Sequence, residues 1–489
     1  MKAKKIFKYI IFATLPLFMA CEEMLDEPAY SQLEPGNFLS TAEGIESLLN
    51  AAFAEGYING YSGKCRVNLE NWATDIEWQT DGGENRIATQ MINFTWDASL
   101  DWLFGNMWIR PYRAIRNVNV LLENIDMANI SDQQKAVYIA EARFIRALSY
   151  NHLYNWFGSV PLRRSSEDPL ELPKASVEEV QLFIENELLE IIPSLPSPGS
   201  ETNYGRPNKG AAMALLCKYY LNSKQWQHAA DMAQNIMDLG YYNLFPEYTD
   251  LFKVENERNR EFILVNPHTP IGAGMNYMNG SLPPGFSRDP VTNLTMQSNW
   301  ANWGAQYRLY DDFYNSFEEA DKRRNLILTS YINAQRDNVS LLNNNNTRSF
   351  KFWPDPNAIG NEHGNDEPEI RYADILLSRA EALNELNGPN QESIDLINQV
   401  RIRAGLSSNL LAIGDFTSKE ALRNHLLDER AWEFYGEVGI RREDQIRMGT
   451  FISSAIERGH TNAQPYRVLF PIPQAALDAN PVLIQNDGY

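Results

Sequence analysis

At 489 residues the chain is long for one compact core, a limit that helical repeats evade because they grow by addition. A formal charge of −20 argues against a nucleic-acid partner. Three cysteines make neither a disulfide framework nor a cluster of metal-ligand spacing.

Residues 1–20 read as a targeting signal. Lys2, Lys4, Lys5 and Lys8 form a positive start, and Ile10 to Met19 is almost uninterrupted apolar sequence, too short to span a bilayer. Ala20-Cys21 follows, a small residue directly before a cysteine. Such a junction is expected to be cut before Cys21, whose amine and thiol then take acyl chains. Glu22 to Phe38, with Pro28 and Pro35, reads as a tether.

Helices are predicted at Ala42–Tyr57, Leu100–Ile125 and Ser131–Trp156, the last opened by a capping box of Ser131 with Gln134. Gly60–Thr95 has a broken pattern and is placed in loops and short turns. Val177–Ile192 is helical. Asn208–Leu221 and Gln225–Leu239 form the best repeat-like pair of the first half, with Cys217 as a buried small hydrophobe. Residues 240–368 are rich in glycine, proline, asparagine and aromatics, and long helices are excluded there. Only a short helix, Leu309–Phe317, and a turn near Asp321–Arg324 are expected in that stretch.

The clearest element is Glu369–Arg403. Ala373, Leu376, Ala380 and Leu383 share one helical face, Asn387-Gly388-Pro389 breaks the run, and Ile394, Ile397 and Val400 line a second helix. Two helices around so short a corner form an antiparallel hairpin. Ser418–Tyr435 and the arginine-rich Glu437–Met448 follow, and Leu469 to Tyr489 reads as an extended tail tied to the surface.

Three blocks carry a resemblance: Arg379–Gly388 with Ile397–Leu406, Leu426–Gly449, and Leu469–Tyr489, with Cys21–Tyr30 as the matching start. In this order they resemble the RagB/SusD family of nutrient-binding lipoproteins. The resemblance implies a lipid-anchored protein on the outer face of the outer membrane. It also implies a lid over a TonB-dependent, SusC-like transporter, with tetratricopeptide-like helix pairs packed against an irregular half that carries the ligand site. The expected fold is therefore dominated by α-helices. One unit spans 21–489, with the helical scaffold mainly at 38–239 and 369–449, the irregular region at 60–95 and 240–368, and the tail at 465–489.

Sugars bind where an aromatic ring stacks on the C–H face of a pyranose and nearby amides, acids and arginines meet its hydroxyls. Trp72 and Trp78 with Asp75 offer that mixture, as do Tyr277 in a glycine-rich loop, the Trp300 and Trp303 pair, and Trp353. Trp96, Trp102 and Trp108 are assigned to the core, and Trp226 and Trp432 to packing. Glu429, Arg430, Glu433, Arg441, Arg442 and Asp444 read as ion pairs that orient helices.

No HExxH, GxSxG, Walker or GxGxxG pattern occurs. No cofactor or metal is expected, with room left for a structural calcium. The reading is a non-enzymatic binding lipoprotein that captures an oligosaccharide for a partner transporter, with contacts to membrane lipid through Cys21. Peptide or another nutrient as cargo, a surface glycan-degrading enzyme and a structural or adhesive surface protein stay open as rivals.

Overall fold

The computed structural model describes residues 38–57, 70–304, 306–437 and 439–489. Residues 1–20, Cys21 and Cys65 lie outside the described residues. The main helices are α1 (Ala42–Gly56), α2 (Asp101–Asn124), α3 (Asp132–Phe157), α4 (Val177–Ile191), α5 (Lys209–Asn222), α6 (Trp226–Asp238), α7 (Tyr372–Asn387), α8 (Gln391–Arg403), α9 (Lys419–Phe434) and α10 (Ile440–Met448). Six of them start on a side chain that accepts a backbone N–H of the first turn: Thr41, Ser131, Ser176, Asn208, Asn390 and Ser418. Ser176 and Glu179 complete a capping box.

The helices pack as consecutive pairs, α2 on α3, α5 on α6 and α7 on α8, and α6 also packs on α7. That contact joins the two halves of the chain into one stack. Ala373, Leu376 and Ala380 are fully buried against Ile394, Ile397 and Val400, so the predicted hairpin face is the packed one. Cys217 is buried and free.

The irregular region is more ordered than the sequence reading expected. Among the described residues it holds nine short strands: β1 (Glu77–Gln79), β2 (Phe262–Asn266), β3 (Phe286–Arg288), β4 (Tyr307–Leu309), β5 (Ile327–Leu328), β6 (Ser330–Asn333), β7 (Asn338–Ser340), β8 (Arg348–Ser349) and β9 (Glu367–Arg371). They pair antiparallel as β1–β4, β2–β9, β3–β6–β7 and β5–β8. Strands this short carry too little alternation to be seen locally, and most pair with partners far off in the chain. The helix expected at Leu309–Phe317 is instead the end of β4 followed by one helical turn, Asp311–Asn315, and Asn85–Ile92 is a helix where loops were expected.

Buried ion pairs join the irregular half to the helices. Glu433 on α9 binds Arg323, Arg371 and Arg403; Glu261 binds Arg371 and Arg403; Glu429 binds Arg323 and Arg401. Lys351 binds Glu437 and the carbonyls of Glu433 and Tyr435. The tail is threaded into the body: Phe470 is buried under the Arg442 guanidinium, 4.3 Å from its ring centre, and the Tyr489 hydroxyl accepts from Trp96 Nε1 at 2.8 Å.

Candidate functional site

The two-stranded ribbon β1–β4 pairs Glu77 with Leu309, Trp78 with Arg308 and Gln79 with Tyr307. Strand side chains alternate between faces. Glu77, Gln79, Tyr307 and Leu309 therefore point inward and are buried, while Trp78 and Arg308 share the outer face and stay half-buried. The inner layer is rigid. Tyr277 stacks on Tyr307 at 5.1 Å and 14°, and its hydroxyl donates to Glu77 Oε2 at 3.3 Å beside Asn71 Nδ2 at 3.2 Å. Burial pushes the Glu77 carboxyl up to about 8 despite these two hydrogen bonds.

On the outer face the Trp78 indole is fixed at three points. Its Nε1 donates to the Asn345 carbonyl at 2.9 Å, its ring stacks on Tyr310 at 6.1 Å and 20°, and the Arg308 guanidinium lies 5.1 Å from the ring centre. Asn345 is held in turn by Asp311, through Asp311 N to Asn345 Oδ1 at 2.9 Å and Asn345 N to Asp311 Oδ2 at 2.8 Å. The asparagine run thus serves as a turn, with Asn343 and Asn345 at positive φ. At the other edge the Asp81-Gly82 turn, also at positive φ, lies on Gln306; a Cβ at Gly82 would fall 2.7 Å from Gln306 Nε2. Asp81 meets Arg308 at 3.5 Å. Residues 300–304 lead toward β4, and there Trp303 is half-buried, its Nε1 donating to Asn361 Oδ1 at 2.9 Å.

The other residues proposed from sequence do not join this face. Trp72 is 1% exposed, packed in the main core. Tyr277, 2% exposed, is an inner support, and Trp300, 7% exposed, gives its Nε1 to the Asp355 carbonyl at 2.8 Å. Asp75 is taken by Arg441 through two hydrogen bonds of 2.8 and 2.6 Å; burial would raise its carboxyl, but Arg441 outweighs that and holds it below the usual carboxylate range. Trp353 lines a separate cavity of about 570 Å³ with Lys253, Tyr314 and Arg324, and no ribbon residue borders it. Of the seven residues named from sequence, the structure places Trp78 on the outer ribbon face and Trp303 on the segment before β4, and keeps the other five apart from that face. Trp96 is buried as expected, and Trp102 and Trp108 are half-buried, packed against the main core on one side and lining an open groove of about 800 Å³ along α2 on the other.

Sequence reasoning missed Arg308, Tyr310 and Asn345. Tyr307 to Tyr310 is too short an alternation to be read as a strand, and the stretch from Leu309 reads as helical. Among the described residues no group of three or more His, Cys, Asp or Glu side chains is arranged to hold a metal ion, and no helix is long and apolar enough to cross a membrane.

A family model described as "SusD family" matches residues 227–489, and one described as "Starch-binding associating with outer membrane" matches residues 23–221. SusD-like protein P25 of Formosa agariphila is 26% identical, the match covering 100% of this chain and 99% of the relative. The starch-binding protein SusD of Bacteroides thetaiotaomicron is 24% identical over 89% of this chain and 87% of its own. Among solved structures, a laminarin-binding SusD-like protein superimposes with a TM-score of 0.77 at 25% identity, covering 92% of this chain and 100% of that one.

Proposed function

Because the chain belongs to the SusD family, we propose that the outer face of the β1–β4 ribbon captures an oligosaccharide outside the cell for delivery to a SusC-type TonB-dependent transporter. The protein acts at the outer membrane, lipid-anchored and exposed at the cell surface, and as a binding protein, not an enzyme. The observation that carries the site is Trp78, an indole held on a two-stranded ribbon with Arg308 beside it and Asp81 and Asn345 at its edges. A ring fixed in this way offers a stacking surface with little entropy left to lose on binding. The likeness to a laminarin-binding protein favours a glycan over a peptide cargo. Acyl chains on Cys21 supply the anchor in this reading, and Cys21→Ser should abolish lipid labelling and membrane retention.

Glycan-array screening of the mature protein, followed by calorimetry on the best hit, tests the site. Trp78→Ala should weaken capture by more than about tenfold, or ~1.4 kcal/mol. Unchanged affinity would remove the ribbon face from the binding surface.

A further inference from the structure

The protein is strongly acidic as a whole, yet two arginines of neighbouring strands sit side by side next to Trp78. Trp78 lies opposite Arg308 on one side of β4. On the other side the antiparallel bridge between Leu309 and Thr347 sets Arg348 across from Arg308. An indole and two guanidinium groups therefore follow one another across three strands. Like charges directly opposite each other are destabilising unless something offsets them.

Little in the protein does so. Arg348 is fully buried and, among the described residues, donates to neutral oxygens: the Asn346 carbonyl at 3.0 Å, the Tyr307 carbonyl at 3.2 Å and Asn346 Oδ1 at 2.8 Å. Burial and the neighbouring Arg308 push its pKa down to about 9, which leaves it a cation at neutral pH. Arg308 Nε has no hydrogen-bond partner among the described residues. Its carboxylate contact is Asp81 at 3.5 Å, a side chain 70% exposed. Of the other acids nearby, Asp75 is taken by Arg441, and Asp311 accepts the Asn345 N–H on Oδ2 while its Oδ1 has no hydrogen-bond partner among the described residues.

We propose that the oligosaccharide taken by this face is anionic, bearing uronate carboxylates or sulfate esters, one of which displaces Asp81 and is received by Arg308 while a sugar ring lies on Trp78. The inference rests on reading the ribbon face as the glycan site. A guanidinium matches the planar fork of a carboxylate and the oxygens of a sulfate with paired hydrogen bonds. Asp81 is the partner most readily released, because its own side chain is 70% exposed and the contact is long at 3.5 Å. Arg348 stays behind Arg308, where burial shields its field from salt.

Calorimetry on the mature protein with three hexasaccharides tests this: laminarihexaose (neutral), a galacturonate hexamer (carboxylate) and a sulfated carrageenan hexamer (sulfate ester). One or both anionic hexamers should bind about tenfold or more tightly than laminarihexaose, with the advantage shrinking as salt is raised. The tighter of the two identifies the anionic group. Asp81→Asn should strengthen that binding, an effect that a purely structural role for Asp81 would not produce. Arg308→Gln should erase the preference and Arg308→Lys should restore part of it, with melting curves confirming that both variants fold. Equal or tighter binding of laminarihexaose, with Asp81→Asn and Arg308→Gln without effect, overturns the anionic inference; a loss of that binding in Trp78→Ala then leaves the glycan site standing. If Trp78→Ala changes no affinity, or no hexamer binds, the site reading falls and this inference with it.

Discussion

Two groups of arginines in this protein face opposite electrostatic situations. At the seam between the helices and the irregular half, Arg323, Arg371, Arg401 and Arg403 are buried, and each meets at least one carboxylate. On the ribbon, Arg348 is buried among neutral oxygens, and Arg308 has an exposed aspartate at 3.5 Å. The first arrangement is closed: every charge has its partner inside the fold, so the network can only hold elements together. The second leaves a positive field that an outside anion can complete. Residue type alone does not separate these two groups; the carboxylates around each arginine do.

The sharpest way to break this comparison is to remove one charge from each group. Glu433→Ala should cost about 3–5 kcal/mol in chemical denaturation, because it leaves Arg323, Arg371 and Arg403 buried around a missing carboxylate. Arg308→Gln should leave the unfolding midpoint unchanged or raise it, since it relieves repulsion with Arg348. A large loss there would mean that the ribbon arginines are structural after all.

The tryptophans extend the same contrast. Trp72→Ala should cost about 3–5 kcal/mol as a core deletion. Trp78→Ala should cost about 1 kcal/mol, the worth of one aromatic stack. Equal costs would deny that one indole is core and the other presented.

Acidity separates the regions again. Glu77 has its pKa raised to about 8, so the folded state keeps a proton that the unfolded chain releases above about 4.5. Its contribution is fully present below pH 4.5 and is lost as the pH rises to about 8, at no more than ~1.4 kcal/mol per pH unit. Glu257, pushed up to about 8 by burial and by Asp366, adds to the same limb. At the seam the sign is reversed. Burial alone would raise Glu433, but Arg403, Arg371 and Arg323 hold it well below its ordinary value, so its stabilisation is present above about pH 4.5 and is lost in acid. Denaturation midpoints from pH 4 to 9 should therefore decline on the alkaline side, and Glu77→Gln should flatten part of that decline. An unaltered slope would show that Glu77 is ionised in the fold. The smallest expected effect is at the tail: Tyr489→Phe removes the partner of Trp96 Nε1 and the donor to the Leu469 carbonyl, for about 1 kcal/mol. Full stability would mean that the terminal hydroxyl anchors nothing.

The helical half was legible because its information is local. The period of Ala373, Leu376 and Ala380, the breaker at Asn387-Gly388 and the capping serines at 131 and 418 sit within a few residues of what they control. The site was only partly legible. An aromatic segment around Trp78 stood out, but Trp72, six residues away in the same segment, is core. The difference arises because Trp78 occupies the outer register of a ribbon whose other strand comes 230 residues later.

By itself, the sequence determined the helix pairs and their buried faces, since each follows from a pattern closed within one turn or one hairpin. Tertiary structure alone decided which indole faces outward and which arginines meet a buried carboxylate. Both depend on the register of β1, β4 and Arg348, brought side by side from distant parts of the chain, and strands of two or three residues carry no periodicity from which that register could be read.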